Sequence, residues 1–184
     1  MIANSLAHGE EFAILFDRHF AEIHRFIRRR LGDALADDVS AETFLRAFKA
    51  RAAFDVERED ARPWLYGIAT NVIRTHARTE ARRIRAYART QFVHTEDFAA
   101  GSDDRVVAGT RRRELAGALR GLNKGDRDVL LLHAWAGLSH GEIAEALSIP
   151  DGTARSRLAR VRTVLSKALG PTAVGVADEG GANT

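Results

Sequence analysis

The chain has 184 residues, enough for one medium domain or two small ones, and its 28 basic and 25 acidic side chains leave a net charge of +3. It contains no cysteine, which excludes disulfides and thiolate metal sites. No apolar run reaches the length of a membrane span, and the N-terminal MIANSLAHGEEF lacks a basic segment followed by an apolar core, so the expected location is the cytoplasm without membrane insertion.

Glu10 to Gly32 reads as a helix, with Phe12, Leu15, Phe16, His19, Phe20, Ile23, Phe26 and Ile27 tracing a broad apolar face that Gly32 ends. A second helix is expected from Asp37 to Ala50, with Val39, Phe44, Leu45 and Phe48 as buried candidates and Asp37, Asp38 and Glu42 in its early turns, which favour acids. Phe54 to Arg62 is polar and reads as a loop. Pro63 then opens a third helix at its first position, with Trp64, Leu65, Ile68, Ala69, Val72 and Ile73 on the apolar side, running to about Arg89. Thr90 to Gly109 has weak periodicity and reads as a linker. Helix resumes from Arg111 to Leu122, Asn123 to Asp126 forms a turn and cap, and Val129 to Trp135 is the next helix, ended at Gly137. Gly170-Pro171 stops the last helix, and Thr172 to Thr184 reads as disordered. No segment alternates as a strand does, so the fold class is all-α: two small helical domains joined by a flexible linker.

Leu138 to Leu165 is the most specific stretch. Ser139 is a good N-cap, and Glu142 three residues later completes a capping box. Pro150 cannot continue that helix, because it lacks an N–H and clashes with the preceding turn. In the helix that follows, Ala154, Leu158, Val161 and Leu165 form an apolar stripe, while Thr153, Arg155, Ser156, Arg157, Arg160 and Arg162 lie off it. Two short helices with an arginine-rich second member are how proteins present a helix to the DNA major groove. Arg155 or Arg157, near the N-terminus of that helix, suits the O6 and N7 edge of guanine, and Arg160 and Arg162 suit phosphates.

Charge supports a polyanion partner. Residues 1–90 carry 16 basic and 13 acidic side chains, 91–110 carry one and four, 111–170 carry 11 and six, and 171–184 carry only Asp178 and Glu179. Two basic blocks are thus separated by an acidic joint and followed by an acidic tail, a pattern that suggests two contacts with nucleic acid. Gly137-Leu138-Ser139-His140-Gly141 matches the nucleophile-elbow pattern, but helix rather than strand is expected before it and Ser139 is already a cap. His19 and His24 are five apart and His133 and His140 seven apart, which are not helical metal-pair spacings. No Gly-rich phosphate loop is present, so neither cofactor, metal nor small-molecule substrate is expected.

Two further motifs give these blocks a meaning. Asp37-Asp38-Val39-Ser40-Ala41-Glu42-Thr43-Phe44-Leu45-Arg46-Ala47-Phe48, followed by Arg62-Pro63-Trp64-Leu65-Tyr66-Gly67-Ile68-Ala69-Thr70-Asn71, resembles region 2 of bacterial RNA polymerase sigma factors of the extracytoplasmic-function (ECF) group. Leu119 to Leu169, particularly Asp128-Val129-Leu130-Leu131-Leu132 and Gly152-Thr153-Ala154-Arg155-Ser156-Arg157-Leu158, resembles region 4. The resemblance implies a non-enzymatic promoter-specificity subunit. Its region 2, residues 1–90, docks on the β′ clamp helices of core polymerase and captures the −10 element. A linker, 91–110, leads to region 4, residues 111–170, which sits on the β flap and reads the −35 element; a tail, 171–184, follows. An anti-sigma factor is the expected regulatory partner.

Asp38 and Glu42, four apart on one helix face, are the candidates for pairing with the polymerase clamp. The Phe54–Arg62 loop corresponds to the segment that receives a flipped −10 base, with Glu57, Arg58 and Glu59 as undistinguished candidates. Trp64 and Tyr66 are candidates for stacking on exposed bases, with packing in the core the alternative for Trp64. Asn71, Arg74 and Arg78 share one face directed at −10 DNA, and Arg82, Arg83, Arg85 and Arg89 are phosphate candidates. The sequence departs from the family pattern at Ser40-Ala41, His140-Gly141 and Pro150. The competing reading is a conventional helix-turn-helix regulator that binds duplex DNA without polymerase.

Overall fold

The computed structural model describes residues 2–5, 8–55, 58, 60–90 and 106–169, with side chains described except at 3–4, 83–90, 106–113 and 169. Among the described residues all regular structure is helical: α1 (Ile2–Ser5), α2 (Phe12–Leu31), α3 (Asp33–Ala50), α4 (Arg62–Thr90), α5 (Val106–Gly121), α6 (Lys124–Ala136), α7 (His140–Leu147) and α8 (Asp151–Leu169), with short 3-10 turns at Gly9–Glu11 and Arg51–Ala53.

The all-α expectation holds, and the differences lie at the ends. α3 starts at Asp33 rather than Asp37, because Ala34, Leu35 and Ala36 are good helix formers and Ala36 is buried. α5 starts at Val106, inside the stretch expected as linker; Gly109 and Thr110, both weak helix formers, hid it from the sequence. α6 starts at Lys124, since Asn123 is its cap: its side-chain oxygen accepts the Asp126 N–H at 2.8 Å. The sequence did not suggest α1. Residues 91–105 of the expected linker, and the tail 171–184, lie outside the described residues.

Contacts divide the chain into two units, 1–96 with 131–154, and 97–130 with 155–184. In the first, α2, α3 and α4 pack on one another and α7 packs on α4. Leu15, Ile23, Phe26 and Ile27 of α2, Val39, Phe44 and Ala47 of α3, and Leu65, Tyr66, Ala69 and Val72 of α4 are buried. Each large side chain among them contributes about 1.5–3 kcal/mol. Phe26 meets Tyr66 edge-on at 5.1 Å, and Phe12 meets Phe48 at 5.3 Å. In the second unit Leu122, Asp126, Asp128, Val129, Leu158 and Val161 are buried.

Among the described residues three helix ends carry positive φ, the first being Gly32 at +80° after α2. Gly137, at φ +68°, closes α6 and donates to the His133 carbonyl at 3.2 Å. Ser148, at φ +51° and ψ +49°, closes α7; Ser148 donates to Glu145 O at 3.0 Å and Ile149 to Ala144 O at 2.9 Å, a Schellman-type end.

Candidate nucleic-acid interface

The capping box read from the sequence is built. The Ser139 hydroxyl accepts the Glu142 N–H at 3.4 Å, and the Glu142 carboxylate accepts the Ser139 N–H at 2.7 Å. The Ser139 hydrogen bond holds the Glu142 carboxyl below its ordinary value, against a smaller opposing effect of burial. Ser139 is therefore a helix cap preceded by helix α6, with none of the strand context that an elbow nucleophile needs.

α8 buries Ala154, Leu158 and Val161 and turns its arginines away from that stripe. Arg155 and Ser156 are exposed one turn into the helix, with Thr153 and Arg157 half-buried beside them. The Arg157 guanidinium lies over Gly125 of α6, so closely that a Cβ there would fall 2.6 Å from its Nη1. Arg160 is committed to structure: its Nη1 donates to both oxygens of the buried Asp126 carboxylate, at 3.2 and 3.3 Å, and Asn123 donates to the same carboxylate at 2.8 Å. Arg162 is half-buried. Arg155 and Ser156 are thus the exposed polar pair of the first turns of α8, and Arg160 has a packing role that the sequence did not reveal.

On α4, Trp64, Gly67, Ile68 and Asn71 follow one another at helical spacing, and Arg74 and Arg78 extend the same side. Asn71 and Arg78 are exposed and Arg74 half-buried. Trp64 is half-buried and tilted against Phe54, with ring centroids 5.0 Å apart, whereas Tyr66 is buried against Phe26 and has no face open for stacking. With Ala53, Asp55, Arg58 and Asn71 the Phe54 and Trp64 rings line a cleft of about 600 Å³ whose opposite wall is Ala144 to Ala146, Ser148 and Ile149. Arg58 reaches across it to the Glu145 carboxylate and also pairs with Asp55 at 3.4 Å; hydrogen bonding to Glu145 raises its guanidinium above the ordinary value. Glu57 and Glu59, and the side chains of Arg83, Arg85 and Arg89, lie outside the described residues; Arg82 is exposed.

At the start of α4 a polar cluster links three helices. Arg62 donates to Glu22 of α2 at 3.2 Å and to the Ala136 carbonyl at the end of α6 at 3.0 Å, and His19 pairs with Glu22 at 2.6 Å. Burial opposes the Arg62 charge most strongly of any single influence, but Glu22, together with Tyr66 and Asp60, raises the guanidinium above its ordinary value. Burial, followed by the nearby Glu22, pushes the Tyr66 phenol up to about 12.

Of the two candidate polymerase contacts on α3, Asp38 is exposed. Glu42 is half-buried and already partnered on both oxygens, by Arg46 at 2.6 Å and by His76 of α4 at 2.7 Å. The His76 hydrogen bond lowers its carboxyl despite burial, with Arg46 assisting. Leu35 and Leu45, both exposed, flank the pair along the helix. Among the described residues, His24 pairs with Asp37 at 2.9 Å, and His133 stacks on His140 at 6.1 Å while its Nδ1 faces the Leu138 carbonyl at 3.1 Å.

The described elements are all helical, with an arginine-bearing helix-turn-helix and a separate basic helix, an architecture used by DNA-binding transcription proteins. Residues 15–83 match the Sigma-70 region 2 family and residues 112–165 match the Sigma-70 region 4 family. The chain is 33% identical over 147 residues to the probable RNA polymerase sigma-C factor of Mycobacterium bovis, covering 78% of this chain and 75% of that one. It is 31% identical over 170 residues to the ECF RNA polymerase sigma factor SigW of Bacillus subtilis, covering 87% and 89%. Among solved structures, CnrH in complex with the cytosolic domain of CnrY matches with a TM-score of 0.63 at 26% identity, covering 91% of this chain and 94% of that one. RpoE of Bartonella quintana, solved with the anti-sigma factor NepR, shares the fold at a TM-score of 0.61 and 19% identity, covering 87% and 97%. The chain belongs to the ECF group of RNA polymerase sigma factors.

Proposed function

We propose that this alternative sigma factor docks on core RNA polymerase through the exposed face of α3 and directs initiation through two separate DNA contacts. Arg155, Ser156 and Arg157, with Thr153, read the −35 major groove. The Phe54–Arg62 loop with Trp64, Asn71, Arg74 and Arg78 takes the −10 element as the duplex opens. Asp38 is the direct partner for a clamp cation, and Glu42 acts from within its Arg46–His76 pairing. Residues 1–90 and 111–170 are the two functional domains. Initiation chemistry belongs to the polymerase, and no cofactor is needed. The protein is assigned to the cytoplasm; among the described residues no helix is long and apolar enough to cross a membrane. The relatives solved with CnrY and NepR support an anti-sigma factor as the regulatory partner.

The observation that carries this reading is the order of the two matches, region 2 over 15–83 and region 4 over 112–165, each coinciding with an arginine-bearing helix. A self-sufficient duplex reader has no use for the first, so the conventional regulator is not favoured. The test is anisotropy titration of labelled promoter duplex at fixed salt. Specific binding is expected only when core polymerase is added; tight operator-like binding by the chain alone, unchanged by core, overturns the proposal.

A further inference from the structure

The loop assigned above to the −10 base has its root in a contact with the start of the chain. α1 is four residues long, too short to hold a helix by itself, yet Ile2 is 6% exposed and Ser5 is fully buried. It packs on α2 and on the 3-10 turn Arg51–Ala53, which joins α3 to the loop. The Ser5 hydroxyl donates back to the Ile2 carbonyl at 2.7 Å, and the Ser5 carbonyl accepts from Arg51 Nε at 3.1 Å. A second arm of the same guanidinium, Nη1, donates to the Phe48 carbonyl in the last turn of α3 at 2.6 Å. The guanidinium also stands 3.8 Å over the Phe48 ring, whose edge-on neighbour is Phe12 of α2. Arg51 thus closes two helix ends at once, and its half-buried fork is committed to protein carbonyls and a ring rather than offered to a phosphate. The loop starts from the Arg51 backbone. The Phe54 N–H donates to the Arg51 carbonyl at 3.2 Å, and there the chain turns extended, at φ −73° and ψ +129°, and sets the Phe54 ring against Trp64.

We propose that Arg51 is a positioning residue for −10 recognition: it ties α1 to the end of α3, and so fixes the direction in which the Phe54–Arg62 loop departs and the seat of Phe54 beside Trp64. Without the tie the loop pivots about the 3-10 turn, and a flipped base meets a pocket wall that is no longer preformed. That loosens −10 selection and leaves −35 selection alone. Lysine does not replace Arg51, because one ammonium cannot reach two carbonyls and also lie flat on a ring. The −10 half of this inference rests on the function proposed above; the tie between α1 and the loop does not.

Both parts are tested on the full chain. With Trp135→Phe, Trp64 is the sole tryptophan, and its quenching by acrylamide reports its packing against Phe54. Ile2→Asp, which unseats α1, and Arg51→Gln should each raise quenching. The double variant should be no worse than the more affected single one, because both act through one tie. Unchanged quenching in both single variants, or additive effects, overturns the tie. In holoenzyme, on a promoter that the wild type transcribes, the ratio of transcription from the intact to a −10-altered template should fall about tenfold in both variants, the size expected for one charge-assisted hydrogen bond, with the −35 ratio unchanged. Equal loss on every template makes Arg51 a stability residue and overturns its positioning role. Arg51→Lys should behave as Arg51→Gln; full retention of −10 selection by lysine refutes the two-carbonyl tie. Asn71→Ala separates this inference from the reading beneath it. If Asn71→Ala loses −10 selection while Ile2→Asp and Arg51→Gln keep it, the positioning role fails and the −10 assignment stands. If none of the three loses it, the −10 assignment fails and the positioning role with it. Should Arg51→Gln not fold, Ile2→Asp decides, since Ile2 lies outside the packing of α2, α3 and α4 on one another.

Discussion

Gly137 and Ser148 close successive helices in the left-handed region, and only one of them is the residue that region favours. For an L-residue the Cβ crowds the following carbonyl at a cost of about 1–2 kcal/mol, which glycine escapes. Ser148 is exposed, so Ser148→Gly removes little but the strain. Against this, glycine frees the unfolded chain, worth about 0.4–1 kcal/mol. The net expectation is stabilisation of about 0.5–1 kcal/mol, and each kcal/mol moves Tm by about 2–4 °C in a chain of this size. Gly137→Ala is the mirror experiment. A Cβ built there meets nothing within 4 Å, so the penalty is purely conformational, and a loss of about 0.5–1 kcal/mol is expected. Thermal melts by circular dichroism read both. A rise for Ser148→Gly and a fall for Gly137→Ala are predicted; a neutral or lowered Tm for Ser148→Gly refutes the strain argument at that turn.

Arg160→Ala strips a partner from the buried Asp126 carboxylate and should lower stability by about 1–3 kcal/mol, whereas Arg155→Ala should cost under about 1 kcal/mol in denaturant titrations. Equal losses would return Arg160 to the list of plain surface arginines. The Thr70 hydroxyl is buried without a hydrogen-bond partner, so Thr70→Val should stabilise by about 1 kcal/mol, and a destabilised variant would reveal a missed partner. The folded-state carboxyl of Glu42 is held below its unfolded value of 4.5, so its contribution is present above that pH and is lost as pH falls through the lowered value. Glu42→Gln should therefore flatten the acid limb of stability below about pH 4.5, and an unchanged acid limb would show that the His76–Arg46 pairing does not persist in solution.

Much of this was legible in the sequence where local chemistry decides structure. Ser139 and Glu142 specify a cap within four residues, Gly32 and Gly137 mark helix ends, and the stripe Ala154–Leu158–Val161 predicts which way α8 turns its arginines. Starts without such punctuation were missed: Asp33 and Val106 open helices with no strong cap, so the expected boundaries fell late. Long-range pairings were invisible. Nothing local announces that Arg160 meets Asp126, that Glu42 is shared by Arg46 and His76, or that Glu145 reaches Arg58. Gly67 was the one available clue, since a glycine inside a strong helical pattern usually reflects a close packing neighbour.

The most direct measurement is run-off transcription with purified core RNA polymerase on templates carrying candidate −35 and −10 elements, comparing wild type with Arg155→Ala and Asn71→Ala. Transcripts from a defined start are expected only when the chain is present, reduced by Arg155→Ala in a way that depends on the −35 sequence and by Asn71→Ala in a way that depends on the −10 sequence. Transcription that is independent of the chain, or uniform losses on every template regardless of which element is altered, would contradict this expectation.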